Sequence, residues 1–186
     1  MNSSYLNSLN YKDVFKTILY FNKPESILEI GILDGFSLEI FAKHNNKTKI
    51  QAYDIFEDFN GNHANKDKLL TYFKDYKNVS IDYGDFYKLS NTLNSTYDII
   101  HIDIANNCDV YEYAIDNYLS KLNNNGILLL EGGSKERDQV EWMKKYNKPP
   151  IQPILCKYKN DYNILTIGTI PSITLIQKNK KIIKNN

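Results

Sequence analysis

At 186 residues, 42% hydrophobic and 24% charged, the chain has the length and composition of one globular domain with a sizeable core. Its formal net charge of +1 excludes a global electrostatic pull toward nucleic acid, and no apolar run reaches membrane-spanning length. The polar start, Met1 to Asn10, lacks the apolar core of a signal peptide, and the two cysteines show neither metal-ligand spacing nor a disulfide framework; the reading is a cytoplasmic protein.

In chain order, residues 1–23 predict a helical lead-in with Val14, Ile18 and Phe21 at helical spacing. Ile27 to Ile30 is a short apolar run broken only by Glu29. A loop with Gly31 and Gly35 four positions apart follows, then an amphipathic run: strand, tight turn, helix. Lys49–Asp54 reads as a second strand ending in an acid, and Val79–Tyr83 as a third, ending at Gly84-Asp85-Phe86. Tyr97–Asp103 and Gly126–Glu131 read as the fourth and fifth, with the near-continuous apolar character of a parallel sheet covered on both faces. Between them Val110, Ala114, Tyr118 and Leu122, beside Tyr111, Ile115 and Leu119, form a broad helical stripe. Asp109 with Glu112 suggests a capping box at its start, and Asn123 to Gly126 a stop. Ser134 suits the N-cap of a further helix that halts before Pro149-Pro150. Cys156 sits in a strand-like run, and Tyr162–Lys178, broken at Pro171-Ser172, reads as an antiparallel hairpin at the sheet edge. The closing lysines, Lys178, Lys180, Lys181 and Lys184, read as a solvated tail over 179–186.

The glycine loop fails two nucleotide fingerprints. A dinucleotide loop needs glycine where Leu33 and Phe36 stand, and a P-loop needs lysine at Phe36. The pattern is either a plain strand-turn-helix joint or a loop for another ligand. Glu29-x-Gly31-x-x-x-Gly35 resembles motif I of class I S-adenosylmethionine-dependent methyltransferases. His101-Ile102-Asp103 after an apolar strand is similar to their small-molecule O-methyltransferase group. The resemblance spans Ser26 to Lys178 and implies one domain over 1–186 with a Rossmann-like three-layer α/β sandwich. It also implies a mostly parallel seven-stranded sheet closed by the C-terminal antiparallel hairpin.

The resemblance further implies S-adenosylmethionine as cofactor, held by Glu29, Gly31, Ile32, Leu33, Gly35, Ser37, Asp54, Ile55, Asp85 and Phe86. Asp54 would take the ribose diol, since an ionised carboxylate accepts both hydroxyl hydrogens; the alternative is a strand-end turn residue. Asp85 would take the adenine amino group and Phe86 or a neighbour would pack on the ring; the alternative for Asp85 is a helix cap. For catalysis the order is Asp103, then Glu131, then His101: Asp103 as the base, Glu131 beside it or a helix cap, His101 a second base or a core histidine. Many members of the group place a metal on an acid after strand four and an acidic or Asp-Asn pair after strand five. Here that pair is Glu131-Gly132, so one ligand is lost and Mg²⁺ is not expected to be required. The loop Ile104-Ala105-Asn106-Asn107 also departs from the group's Gly-Asp-His-Ser. Arg137, after Gly132-Gly133, is either an anion-binding group or a surface partner of Glu136 or Asp138. The functional expectation is methyl transfer to an oxygen of a small polar acceptor, a sugar hydroxyl or sugar-linked phosphate in surface-polysaccharide synthesis, with no nucleic-acid or membrane partner. The alternative is a non-catalytic nucleotide-binding protein on the same fold.

Overall fold

The computed structural model describes residues 3–5, 11–56 and 62–179. Strands and helices alternate as β1 (Ser26–Ile30), α2 (Phe36–His44), β2 (Lys49–Asp54), α3 (Lys66–Phe73), β3 (Val79–Tyr83), α4 (Phe86–Thr92), β4 (Tyr97–Ile102), α5 (Cys108–Tyr118) and β5 (Leu122–Glu131), preceded by α1 (Tyr11–Asn22). After β5 come α6 (Glu141–Lys145), α7 (Gln152–Tyr158), β6 (Tyr162–Gly168) and β7 (Ser172–Lys178). The strands form one seven-stranded sheet in the order β3-β2-β1-β4-β5-β7-β6. Strands β1 to β5 pair in parallel, and β7 runs antiparallel to both β5 and β6. The Rossmann-like sandwich and the C-terminal hairpin are as the sequence predicts.

Alternation along the central strands builds two cores. Ile27 of β1, Ile99 of β4 and Leu129 of β5 face Phe15 and Leu19 of α1 and Leu38 and Phe41 of α2. Leu28, Ile30, Ile100, Ile102, Leu128 and Leu130 face the predicted stripe of α5, where Val110, Tyr111, Ala114, Ile115 and Tyr118 are buried. A sheet with both faces covered needs no polar face, which explains the apolar runs.

Local expectations fail where a partner distant in sequence decides. The buried face of α1 is Tyr11, Phe15, Ile18 and Leu19, while Phe21 is 76% exposed. The cap of α5 is Asn107, whose side chain accepts from the Asp109 N–H, not the Asp109/Glu112 box. That helix ends at Tyr118, and β5 begins at Leu122 because Leu122 pairs with Tyr97 ahead of a register shift. The Ser134 hydroxyl accepts from the Arg137 N–H at 3.0 Å, but it caps no helix: the element that follows is a single 3₁₀ turn, Arg137–Gln139, whose N-cap is Glu136. Cys156 lies on α7, exposed, and not in a strand. Within the basic tail, residues 180–186 lie outside the described ones.

Candidate active site

The order β2-β1-β4 means that the chain leaves β1 to opposite sides, so a crevice opens at the carboxyl ends of β1 and β4, where open α/β sheets bind ligands. The glycine turn lines it. Gly31 has φ +90°, and a Cβ there would lie 2.1 Å from the Asp103 carbonyl oxygen. Gly35 has φ +85°, and a Cβ there would meet the Phe73 ring at 2.8 Å. Both glycines are demanded by the protein's own backbone and packing. Asp54 latches the turn: Oδ2 accepts from the N–H groups of Ile32 (2.7 Å) and Leu33 (3.2 Å), and Oδ1 from the Phe56 N–H (2.9 Å) and the Asn62 amide (2.7 Å). This buried carboxylate holds four donors, so a ribose diol would have to displace one of them. Leu33 and Ile55 are half-buried at the turn's edge, and Ile32 is buried.

Beneath the turn lies Glu29, with no exposed surface. Its Oε1 accepts from the Ser37 hydroxyl and from His101 Nδ1 at 3.0 Å, while Oε2 is buried without a partner. His101 is fully buried among the rings of Phe15, Phe41 and Tyr5. Because an ionised carboxylate only accepts, the His101 Nδ1 proton faces Glu29; in a neutral ring Nε2 then accepts from the Tyr5 hydroxyl, 3.1 Å away. Both ring nitrogens are thus engaged by the protein's own groups, an environment that suits a core histidine. Ser4 and Tyr5 belong to this site although nothing local in the sequence marks them. The Ser4 hydroxyl donates to Asp103 Oδ2 at 2.7 Å, and Tyr5 is buried against Tyr11 and Phe15.

Asp103, half-buried at the end of β4, is pushed up to about 7, first by burial and then by Glu131, with Glu29 adding to it and His101 and the Ser4 hydrogen bond opposing. Glu131, at the end of β5, is buried and held in a bidentate fork: Arg137 Nε donates to Oε1 at 2.7 Å and Nη2 to Oε2 at 2.8 Å. Burial raises the Glu131 carboxyl while the guanidinium opposes it. Burial lowers the Arg137 affinity for its proton, and Glu131 more than restores it. The short, parallel geometry is that of an ion pair. Arg137 is therefore neither the surface partner of Glu136 or Asp138 nor a free anion-binding group, and the ground for a phosphate on it is gone. Its guanidinium lies 4.8 Å from the Trp142 ring centre, and its Nη1 is buried without a partner. Two left-handed glycines, Gly132 (φ +97°) and Gly133 (φ +99°), fold the chain back so that Arg137 can reach Glu131. Asn106 joins the two strand ends, donating to the carbonyls of Ile102 (3.0 Å) and Glu131 (2.9 Å), which gives the departing loop 104–107 a structural role.

Asp85 caps α4, accepting from the Tyr87 N–H at 2.8 Å. Phe86 is a core residue stacked on Tyr118, with ring centres 5.3 Å apart; the neighbour exposed at that position is Tyr87. Among the described residues no group of three His, Cys, Asp or Glu side chains is arranged to hold a metal ion. No helix there is long and apolar enough to cross a membrane.

No family model and no curated protein matches the sequence. Solved structures do. A candidate O-methyltransferase from Klebsiella pneumoniae superimposes with a TM-score of 0.71 at 13% identity, over 96% of this chain and 84% of that one. The O-methyltransferase TomG from Streptomyces achromogenes, in complex with SAM, gives 0.67 at 18% identity over 94% and 82%. An O-methyltransferase from Bacillus cereus, in complex with SAH, gives 0.65 at 18% identity over 95% and 84%. The fold is that of the class I methyltransferases. In this fold the glycine turn, Glu29, Asp54 and Asp103 gather at the switch point, and Asp85 and Phe86 stand at the start of α4.

Proposed function

We propose that the protein is an S-adenosylmethionine-dependent methyltransferase acting on an oxygen of a small polar acceptor. The observation that carries this reading is the unpartnered, fully buried Glu29 Oε2 beside the first turn of α2. A buried acceptor without a donor is costly, and a cationic or N–H group relieves it. The N-cap of α2 is Gly35, with no side chain to satisfy the helix's first N–H groups, which suits a carboxylate. A cation site and an anion site a few residues apart fit an amino-acid zwitterion, the tail of S-adenosylmethionine, and two of the fold's solved relatives carry SAM or SAH. When bound, the cofactor supplies a methyl carbon activated on sulfonium sulfur. In this reading Asp103 holds the acceptor hydroxyl and takes its proton, a role supported by the hydroxyl hydrogen it accepts from Ser4.

Isothermal titration with S-adenosylhomocysteine, S-adenosylmethionine and NAD tests the reading. Micromolar binding of the first two and none of NAD is expected, followed by transfer of a labelled methyl group to hydroxyl compounds in a screen that includes sugars. Binding of NAD alone overturns it in favour of another nucleotide ligand. Cofactor binding with no transfer to any hydroxyl compound favours the non-catalytic alternative.

A further inference from the structure

The fold's small-molecule O-methyltransferase group, to which the sequence is similar, implies a divalent metal at the ends of β4 and β5. The residues present do not fit one. Both Glu131 oxygens are taken by the Arg137 fork at 2.7 and 2.8 Å, and the next residue, Gly132, has no side chain to ligate. Asp103 alone remains, and its Oδ2 is bonded to Ser4.

We propose that Arg137 is a built-in cation that takes up the Glu131 carboxylate a divalent metal would need, so that this chain excludes such a metal from the ends of β4 and β5. The expectation of a metal rests on the methyltransferase reading; its exclusion rests on the geometry of the Arg137–Glu131 pair. Arg137 is 6% exposed, so the pair is held out of bulk water. Each charge neutralises the other, so the pair offers no net negative charge to a divalent cation. The Trp142 ring fixes the plane of the guanidinium from one face.

The test is metal binding, read without activity. Mn²⁺ is titrated by electron paramagnetic resonance into the full chain saturated with S-adenosylhomocysteine, and melting is followed with and without Mn²⁺. For the parent protein the free-ion spectrum and the melting temperature should stay unchanged at millimolar Mn²⁺. Arg137→Met leaves Glu131 uncompensated, and Mn²⁺ should bind it and raise its melting temperature. Should that variant fail to fold, Arg137→Lys, which keeps the charge but frees one Glu131 oxygen, should show the same gain more weakly. Mn²⁺ binding by the parent that disappears in Glu131→Gln overturns the proposal, as does an absence of gain in both Arg137 variants when folded. Failure of S-adenosylhomocysteine to bind would instead strike the methyltransferase reading, and the Mn²⁺ titrations would still decide the cation.

Discussion

Asp54 is readable from spacing as an acid that ends the second strand about twenty residues past the glycine loop, and in the structure it holds that loop. Four donors converge on it, two of them from Ile32 and Leu33. Asp54→Ala should therefore weaken S-adenosylhomocysteine binding by about 1.5–3 kcal/mol, the scale of hydrogen bonds to a charged group. Thermal stability should fall with it, because the latch is lost in the free protein too. Calorimetric titration beside a melting curve checks both; full affinity in the variant would detach the turn from the ligand. Asp103 carries the opposite sign. Its folded-state affinity for a proton is raised to about 7, so between the ordinary carboxylate range and about 7 the folded state holds a proton that the unfolded chain has released. The contribution of Asp103 to stability is fully present below the ordinary range and declines as pH rises toward about 7. Asp103→Asn should thus stabilise the protein at pH above about 7 relative to the parent, and the difference should shrink on acidification. The same ionisation should make methyl transfer climb with pH through about 7, and the variant should lose about 10²–10⁴ in turnover. Chemical unfolding at several pH values and a pH–rate profile read the two effects separately.

At the level of elements, the strands and the α5 stripe could be read because they obey local periodicity: Val110 to Tyr118 repeats every four residues, and the structure buries that face. The Glu131–Arg137 pair could not. The two are six residues apart, one closing β5 and the other opening the 3₁₀ turn, and the left-handed Gly132-Gly133 turn brings them together. The signal was the glycine pair itself, which announced a sharp reversal without naming its beneficiary. Similarly α7 depends on Asp138, whose carboxylate accepts from the Ile151 and Gln152 N–H groups at 2.8 and 2.9 Å, a cap thirteen and fourteen residues away. The glycine turn gives a sharper prediction. Gly31→Val puts a β-branched side chain at φ +90° and a Cβ 2.1 Å from the Asp103 carbonyl, so the cost should be on the order of 4 kcal/mol or more. Loss of folding, followed by circular dichroism, is the expected outcome, and a folded variant that merely fails to bind cofactor would return the glycine to a ligand-contact role. Removing one member of the buried ion pair in Arg137→Met should cost about 3–5 kcal/mol, and Glu131→Met with Arg137→Met should recover most of that. A double-mutant cycle by denaturant unfolding measures the coupling.

Across the whole molecule, the site is closed by a segment that lies almost a hundred residues from its partners. Ser4 meets Asp103 and Tyr5 meets His101 over separations of 99 and 96 residues. A polar N-terminus gives no periodic or compositional signal of such contacts, because they depend on where β4 ends in the sheet and not on anything near residue 5. The consequence is a chain of hydrogen bonds from Tyr5 through His101 to Glu29, whose other oxygen faces no donor. Tyr5→Phe keeps the ring that packs on Tyr11 and Phe15 but leaves the buried His101 Nε2 without its partner. The destabilisation should be about 1–3 kcal/mol, the cost of one unsatisfied buried polar group. Because His101 also holds Glu29, affinity for S-adenosylhomocysteine should fall in Tyr5→Phe, whereas Ser4→Ala, which removes a hydrogen bond to Asp103, should leave it unchanged. Titration of both variants separates a link through His101 from simple covering of the crevice: equal losses in the two would mean that the segment acts as a lid alone, and no loss in either would remove Tyr5 from the support of Glu29.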